Sequence, residues 1–251
     1  MSHSNEYYNG QALQDKFVLQ MLNYKRDGFF LELGSNDPCK INNTYLLEKD
    51  YNWTGVMIDC DPTFFPLYQS TRPKSIHVIG DATAIDYVDL LRMSKCPLNA
   101  DYLQIDLEPG DGSTLKALQN LDANVFDSYK FATVTFEHDI CNGGTNKNSV
   151  FHKTRTLSRE IFERRGYVRV FNDINNYGWS ELEERRSKVR KGEHVDAGVI
   201  HNTAMYPFED WYVHPDLVDI SHINAAINQN KTSYVLHPEC GTTINYGAIK
   251  Y

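Results

Sequence analysis

No stretch of the chain approaches the run of about 18 apolar residues that a membrane-spanning helix needs, so a membrane partner is not expected. Cysteine is sparse: the five, at positions 39, 60, 96, 141 and 240, form no C-x-x-C pair and have no closely spaced histidine. That scatter argues against a zinc site, and the odd count suits reduced thiols in a cytoplasmic compartment. Positive charge is in deficit, with 25 Lys and Arg against 33 Asp and Glu, a net charge of −8 and a pI of about 5.6. A chain so acidic is a poor general binder of nucleic acid, which demands neutralised phosphates. The first residues, MSHSNEYYNGQ, show no basic region followed by an apolar core, so a signal peptide is not expected. Repeats, low-complexity tracts and an interdomain linker are also missing, and 251 residues with 41% hydrophobic content suffice for one α/β domain over 1–251.

One absence is more telling. G-x-G-x-x-G, which seats a dinucleotide pyrophosphate on a helix N-terminus, occurs nowhere. What is there is residues 28–62, GFFLELGSNDPCKINNTYLLEKDYNWTGVMIDCDP. An apolar strand, Phe29-Phe30-Leu31, runs into a turn with a single glycine, Gly34. A helix follows over 43–50, then a second strand, Gly55 to Ile58, that ends on Asp59 and Asp61. Strand, glycine turn, helix, strand and acid make a nucleotide-binding half of a doubly wound sheet. Gly34 lets a ligand approach the backbone, and the Asp59 carboxylate can accept both hydroxyls of a ribose. Asp37 would repel a pyrophosphate, so a cofactor without phosphates, S-adenosylmethionine (SAM), fits this turn better.

ELGSND, NNTYLLEK and WTGVMIDCDP resemble the FkbM-type SAM-dependent methyltransferase family, and the resemblance runs from about Gln14-Asp15 to Asp139. It implies a class I methyltransferase fold: α/β, Rossmann-like, a doubly wound and mostly parallel seven-stranded sheet flanked by helices. It also implies methyl transfer to a hydroxyl of a sugar, glycan or related small molecule. Residues up to about 140 would then form the SAM-binding half and residues 141–251 the acceptor side. The cofactor set is Glu32, Gly34, Ser35, Asn36, Asp59, Cys60, Asp81, Ala82 and Asp106, with Asp59 on the ribose and Asp81-Ala82 at adenine. Glu32 orients the turn or reaches the methionine amine.

Along the chain, Leu13, Phe17, Met21 and Tyr24 recur at helical spacing, and Gln14-Asp15 lies on the polar side of that helix. Thr63 to Gln69 reads as a short helix, and Ser75 to Ile79 as a third strand ending at Asp81, a residue that alternatively caps the next helix, marked by Ile85, Val88 and Leu91. YLQIDL, residues 102–107, is the fourth strand; Asp106 and Glu108 at its end face the pocket or its rim. Pro109 stands where the family has glycine, and Ser113 or Thr114 can cap the helix beyond it. FATVTF, residues 131–136, is the fifth strand and meets Glu137-His138-Asp139 at once. His138, titrating near neutral pH, is the expected catalytic base, with Asp106 and Glu137 positioning the acceptor or replacing it. Some class I O-methyltransferases hold Mg²⁺ with acids at the places of Asp106 and Asp139, although the resemblance does not call for a metal.

A helix over 150–165, strands at 167–171 and about 197–201, and a last helix near 216–228 complete the reading. The basic run Arg185, Arg186, Lys188, Arg190 and Lys191 reads as a solvated face or an anion patch. PFEDWYVHP, residues 207–215, sets aromatics beside acids as a sugar platform would, or as packing would. The sequons at Asn42, Asn52 and Asn230 are read as chance. Two other functions stay open: an NAD-dependent oxidoreductase, for which Tyr45 and Lys49 supply a Tyr-x-x-x-Lys pair, and a non-catalytic SAM-binding protein. No motif specifies the acceptor or the oligomeric state.

Overall fold

A computed structural model describes residues 7–175, 184, 187–188, 191, 207–231, 234–236 and 243–245. Strands β1 (Phe29–Leu33), β2 (Thr54–Asp59), β3 (Ile76–Ile79), β4 (Asn99–Ile105) and β5 (Lys130–Glu137) pair in parallel. Helices α1 (Gln14–Met21), α2 (Tyr45–Tyr51), α3 (Phe65–Thr71), α4 (Tyr87–Met93), α5 (Ser113–Asn124) and α6 (Val150–Arg164) alternate with them. After β6 (Val168–Asn175) and β7 (Pro207–Val213) come α7 (Ile220–Lys231), β8 (Tyr234–Leu236) and β9 (Thr243–Asn245). The sheet order is β3-β2-β1-β4-β5-β7-β6-β9-β8, with β7 antiparallel to both β5 and β6. The expected Rossmann-like, doubly wound sheet is thus present as seven strands, and β9 and β8 extend it at the β6 edge.

The central strands are apolar on both faces because both faces are covered. Successive residues of β1 illustrate the two-residue period: Phe30 joins one buried cluster with Phe17, Trp53, Tyr102 and Trp211, while Leu31 joins another with Ile58, Leu103, Leu118 and Phe162. Phe17 of α1 stacks on Trp211 of β7 with ring centroids 4.8 Å apart, which seats the leading helix on the sheet. Strand order reverses between β1 and β4, so the crevice for a ligand opens there, outside the carboxyl ends of the strands.

Several local expectations change. Residues 207–213 form β7, and all seven are buried. Phe208, Trp211 and Tyr212 pack inside the sheet and cannot serve as a sugar platform. The strand expected at 197–201 lies outside the described residues, as do Arg185, Arg186 and Arg190 of the basic run; Lys188 pairs with Glu184 at 2.6 Å. Gln14 and Asp15 are buried rather than solvated: Gln14 Nε2 donates to Glu209 Oε1 (2.6 Å), and Asp15 Oδ2 accepts from the Asn9 amide (2.6 Å). In α4 it is Tyr87 and Leu91 that turn inward, while Val88 is 41% exposed. Cys39, Cys60, Cys96 and Cys141 are free thiols; Cys240 lies outside the described residues. Among the described residues no helix is long and apolar enough to cross a membrane.

Candidate functional site

A cavity of about 1010 Å³ opens over the carboxyl ends of β1, β2, β4 and β5 and the turn after β3. This is the upper end of the roughly 300–1,000 Å³ usual for small-molecule sites, room for a cofactor and an acceptor together. All nine expected cofactor residues line its wall.

Gly34 has φ of 83°, and a Cβ there would lie 1.7 Å from the Asp106 carbonyl oxygen. The position excludes any other residue because the backbone beyond β4 crosses it, and not only because a ligand comes close. The Gly34 and Ser35 amides both donate to the Ile58 carbonyl (2.9 and 3.1 Å), folding the turn over β2. Asp59 is clamped: Oδ2 accepts from the Asn36 amide (2.7 Å) and Oδ1 from the Asp61 amide (2.9 Å). Each oxygen keeps a lone pair, so a diol can still be taken up by a carboxylate whose direction is set. Cys60 is exposed and lines the cavity beside it. Asp81 Oδ1 accepts from the amide and hydroxyl of Thr83 (2.8 and 2.7 Å), which holds the carboxyl below its usual range. It does not cap α4; Asp86 does, accepting from the Asp89 amide at 3.0 Å. Ala82 is buried in the wall, pinned by the Tyr87 hydroxyl on its carbonyl.

Glu32 sits in mid-strand and is fully buried. Its Oε2 accepts from Thr44 Oγ1 (3.0 Å) and Asn42 Nδ2 (3.3 Å), while Oε1 lacks a partner. Burial pushes its pKa up to about 7, against the pull of Arg72, Thr44 and Asn42. Arg72 had no part in the sequence reading. Its guanidinium is buried under the turn, paired with Glu48 at 2.9 Å and donating to Asn42 Oδ1, Thr44 Oγ1 and the Pro38 carbonyl. Its partners lie 24 to 34 residues away, so no local pattern announces it. Asn42, in this network, is buried and out of reach of a glycan.

Parallel register sets Glu32 beside Gln104 of β4. Gln104 Nε2 donates to Asp106 Oδ2 (3.2 Å), leaving Oε1 buried and without a partner; Asn43 Oδ1 in the same cavity is in the same state. Asp106 faces Glu137 of β5. Burial and the adjacent Asp106 carboxylate hold the Glu137 carboxyl well above its usual range, and burial raises Asp106 as well. Asp139 follows in left-handed backbone (φ 49°), which Asp tolerates, and burial next to Asp106 pushes its pKa up to about 6. Glu108 lies exposed at the rim and accepts from the Gly110 amide (2.8 Å). Ser113 locks that loop through the Glu108 backbone; neither it nor Thr114 caps α5, whose N-cap position is Gly112.

His138 is the main correction. Glu137 and Asp139 line the cavity and His138 does not. Alternation along the strand end sends it to the other face. There it is fully buried, Nδ1 accepting from the Ile140 amide (3.2 Å) and Nε2 lying 3.5 Å from Asp210 and 3.6 Å from Asp173. Burial lowers its pKa. A ring with no access to the cavity cannot take a proton from a ligand there. His138, Asp173 and Asp210 hold donor atoms within 4.8 Å of one another, but Arg155 and Arg159 already bind both carboxylates at 2.6 to 3.0 Å. The cluster is therefore ion-paired without a metal. Tyr45 and Lys49 are also spent elsewhere: the Lys49 ammonium rests 5.3 Å from the Tyr45 ring centroid, and neither lines the cavity.

No family model matches the chain, and no curated protein matches it. Among solved structures it is similar to a TehB-like SAM-dependent methyltransferase from Corynebacterium glutamicum ATCC 13032 Kitasato, with 14% identity and a TM-score of 0.42 over 80% of this chain and 86% of that one. It is also similar to the plantazolicin methyltransferase BamL, solved with a triazolic desmethylPZN analog and SAH, with 9% identity and a TM-score of 0.45 over 81% of this chain and 82% of that one.

Proposed function

We propose that the chain is a SAM-dependent methyltransferase of FkbM type, moving a methyl group to a hydroxyl oxygen of a small, carbohydrate-like acceptor. The observation that carries this reading is the acidic wall of the cavity, in which Asp59 is clamped for a diol and Glu32 Oε1 is buried without a partner. An unpaired buried carboxylate oxygen is costly, and an ammonium supplies the missing donors. The residues present therefore suit an adenosyl group bearing an amino acid and no phosphate: Asp59 on the ribose, Asp81 and Ala82 at adenine, Glu32 and Asn43 on the ammonium. A pyrophosphate would meet Asp37 and Asp59 instead of a run of free amides.

When bound, SAM supplies a methyl on a sulfonium. The chain's own work is to align the acceptor and to take its proton. Asp139 replaces His138 as the base: it lines the cavity, and with a pKa of about 6 it is mostly ionised at neutral pH yet more basic than an ordinary Asp. Asp106 and Glu137 orient the acceptor. The test is transfer of labelled methyl from SAM to a panel of sugars, nucleotide sugars and glycans, by the wild type and by Asp139→Asn. Labelled product from the wild type with its alkali-stable methyl on oxygen supports the reading; SAM binding with methyl on carbon or sulfur would displace it.

A further inference from the structure

Resting on that reading, we propose that the acceptor is a cation: an amino sugar or other amine-bearing alcohol, its ammonium held where Gln104, Asp106 and Glu137 meet. Gln104 is 3% exposed, its amide nitrogen is spent on Asp106, and its Oε1 points into the cavity wall with no donor to accept from. Around it the protein offers further acceptors. Asp106 accepts from Gln104 Nε2 (3.2 Å), Asp139 accepts from Asn142 Nδ2 (3.1 Å), and Glu137 adds a third carboxyl beside them.

Among the described residues, no cation reaches this end. The two lysines that line the cavity, Lys40 and Lys116, are exposed; Lys40 belongs to the Asp37 turn and Lys116 lies near Asp81 and Asp111 on the cofactor side. Arg72, the buried guanidinium nearest the turn, is fully occupied by Glu48, Asn42, Thr44 and Pro38. A neutral sugar would bring hydroxyls that can donate, but no charge to set against the acids. An alkylammonium supplies three donors and the charge at once. Burial, with the repulsion of neighbouring carboxylates, raises Asp139 to about 6 and Glu209 to about 8, as acids without a positive partner are raised. The ammonium of the cofactor does not remove the need, because Glu32 and Asn43 on β1 and the loop before α2 already provide for it.

The experiment uses the intact chain saturated with S-adenosylhomocysteine, so that the cofactor's own ammonium is in place. Calorimetry then compares matched pairs: glucosamine with glucose, galactosamine with galactose, ethanolamine with ethylene glycol. At least one amine should bind ten or more times tighter than its neutral partner. Gln104→Leu and Asp139→Asn should each remove most of that preference while S-adenosylhomocysteine still binds; two variants guard against one failing to fold. Equal binding within every pair, or binding of none, overturns the cationic acceptor while leaving the methyltransferase reading intact. Failure of the wild type to bind S-adenosylhomocysteine would instead overturn the reading beneath it.

Discussion

On one side of the end of β5, Asp173 and Asp210 are buried against Arg155 and Arg159, two carboxylates answered by two guanidiniums at 2.6 to 3.0 Å. On the other side, Asp106, Glu137 and Asp139 crowd together, and among the described residues no positive group pairs with them. The pKa directions follow the pairing. Arg159 and its neighbours hold Asp210 well below the usual carboxylate range and Asp173 below it, whereas desolvation raises all three of the cavity acids. One set of acids serves the scaffold, joining α6 to β6 and β7. The other is left unmatched where a ligand enters. The scaffold acids are fully buried and the cavity acids half-buried, and the presence or absence of a counter-charge separates structure from site.

Asp210→Ala should have the severest consequence, taking from the half-buried Arg159 two of its three carboxylate hydrogen bonds and leaving only that to Asp173. A loss of about 3–5 kcal/mol in denaturant unfolding is expected, as for other broken buried pairs. A variant as stable as wild type would mean that the cluster is not the scaffold described. On the cavity side, Asp139→Asn should lower kcat by about 10²–10⁴-fold with SAM affinity within a few-fold of normal, since a base acts on the acceptor and not on the cofactor. Asp59→Ala should weaken SAM by roughly 10- to 100-fold, the loss of a charged-acceptor hydrogen bond of about 1.5–3 kcal/mol. Unchanged affinity in a folded variant would remove Asp59 from the cofactor site.

A pH titration sharpens the contrast further. Glu32 is raised to about 7, so its neutral form favours the folded apo protein at low pH, and that contribution fades as pH rises through 7. The carboxylate that greets an ammonium is formed over the same interval, so SAM affinity should rise about tenfold from pH 6 to pH 8. Glu32→Gln should flatten that dependence, and a slope that persists would assign it to another group. The mildest effect is expected at His138: His138→Leu should leave turnover within about threefold once the protein is folded, because the ring never meets the cavity. A loss as large as that of Asp139→Asn would restore it to the mechanism.

Much of this was legible in residues 28–139. Strands β1, β2, β4 and β5 are short apolar runs that stop at acids, and a doubly wound sheet collects such ends in one crevice. Gly34, Asp59, Asp81 and Asp106 all lie there as expected. His138 was misplaced although the two-residue period places it opposite Glu137 and Asp139; the chemistry of imidazole outweighed the geometry of the strand. Strand β7 was missed because acids set beside aromatics in 207–215 read as a sugar platform or packing, and the strand was expected at 197–201 instead. Only the folded chain brings Gln14, 195 residues away, to Glu209, and Arg159 to Asp210. Arg72 was invisible for the same reason. Polar residues buried by long-range partners leave no local pattern.

Calorimetry of the intact chain against SAM and NAD at pH 8 goes to the heart of the unmatched-acid cavity. A ligand bearing an ammonium and a sulfonium should bind one to one, and a ligand bearing a pyrophosphate should not bind. Saturable binding of NAD with none of SAM would contradict the reading of the cavity.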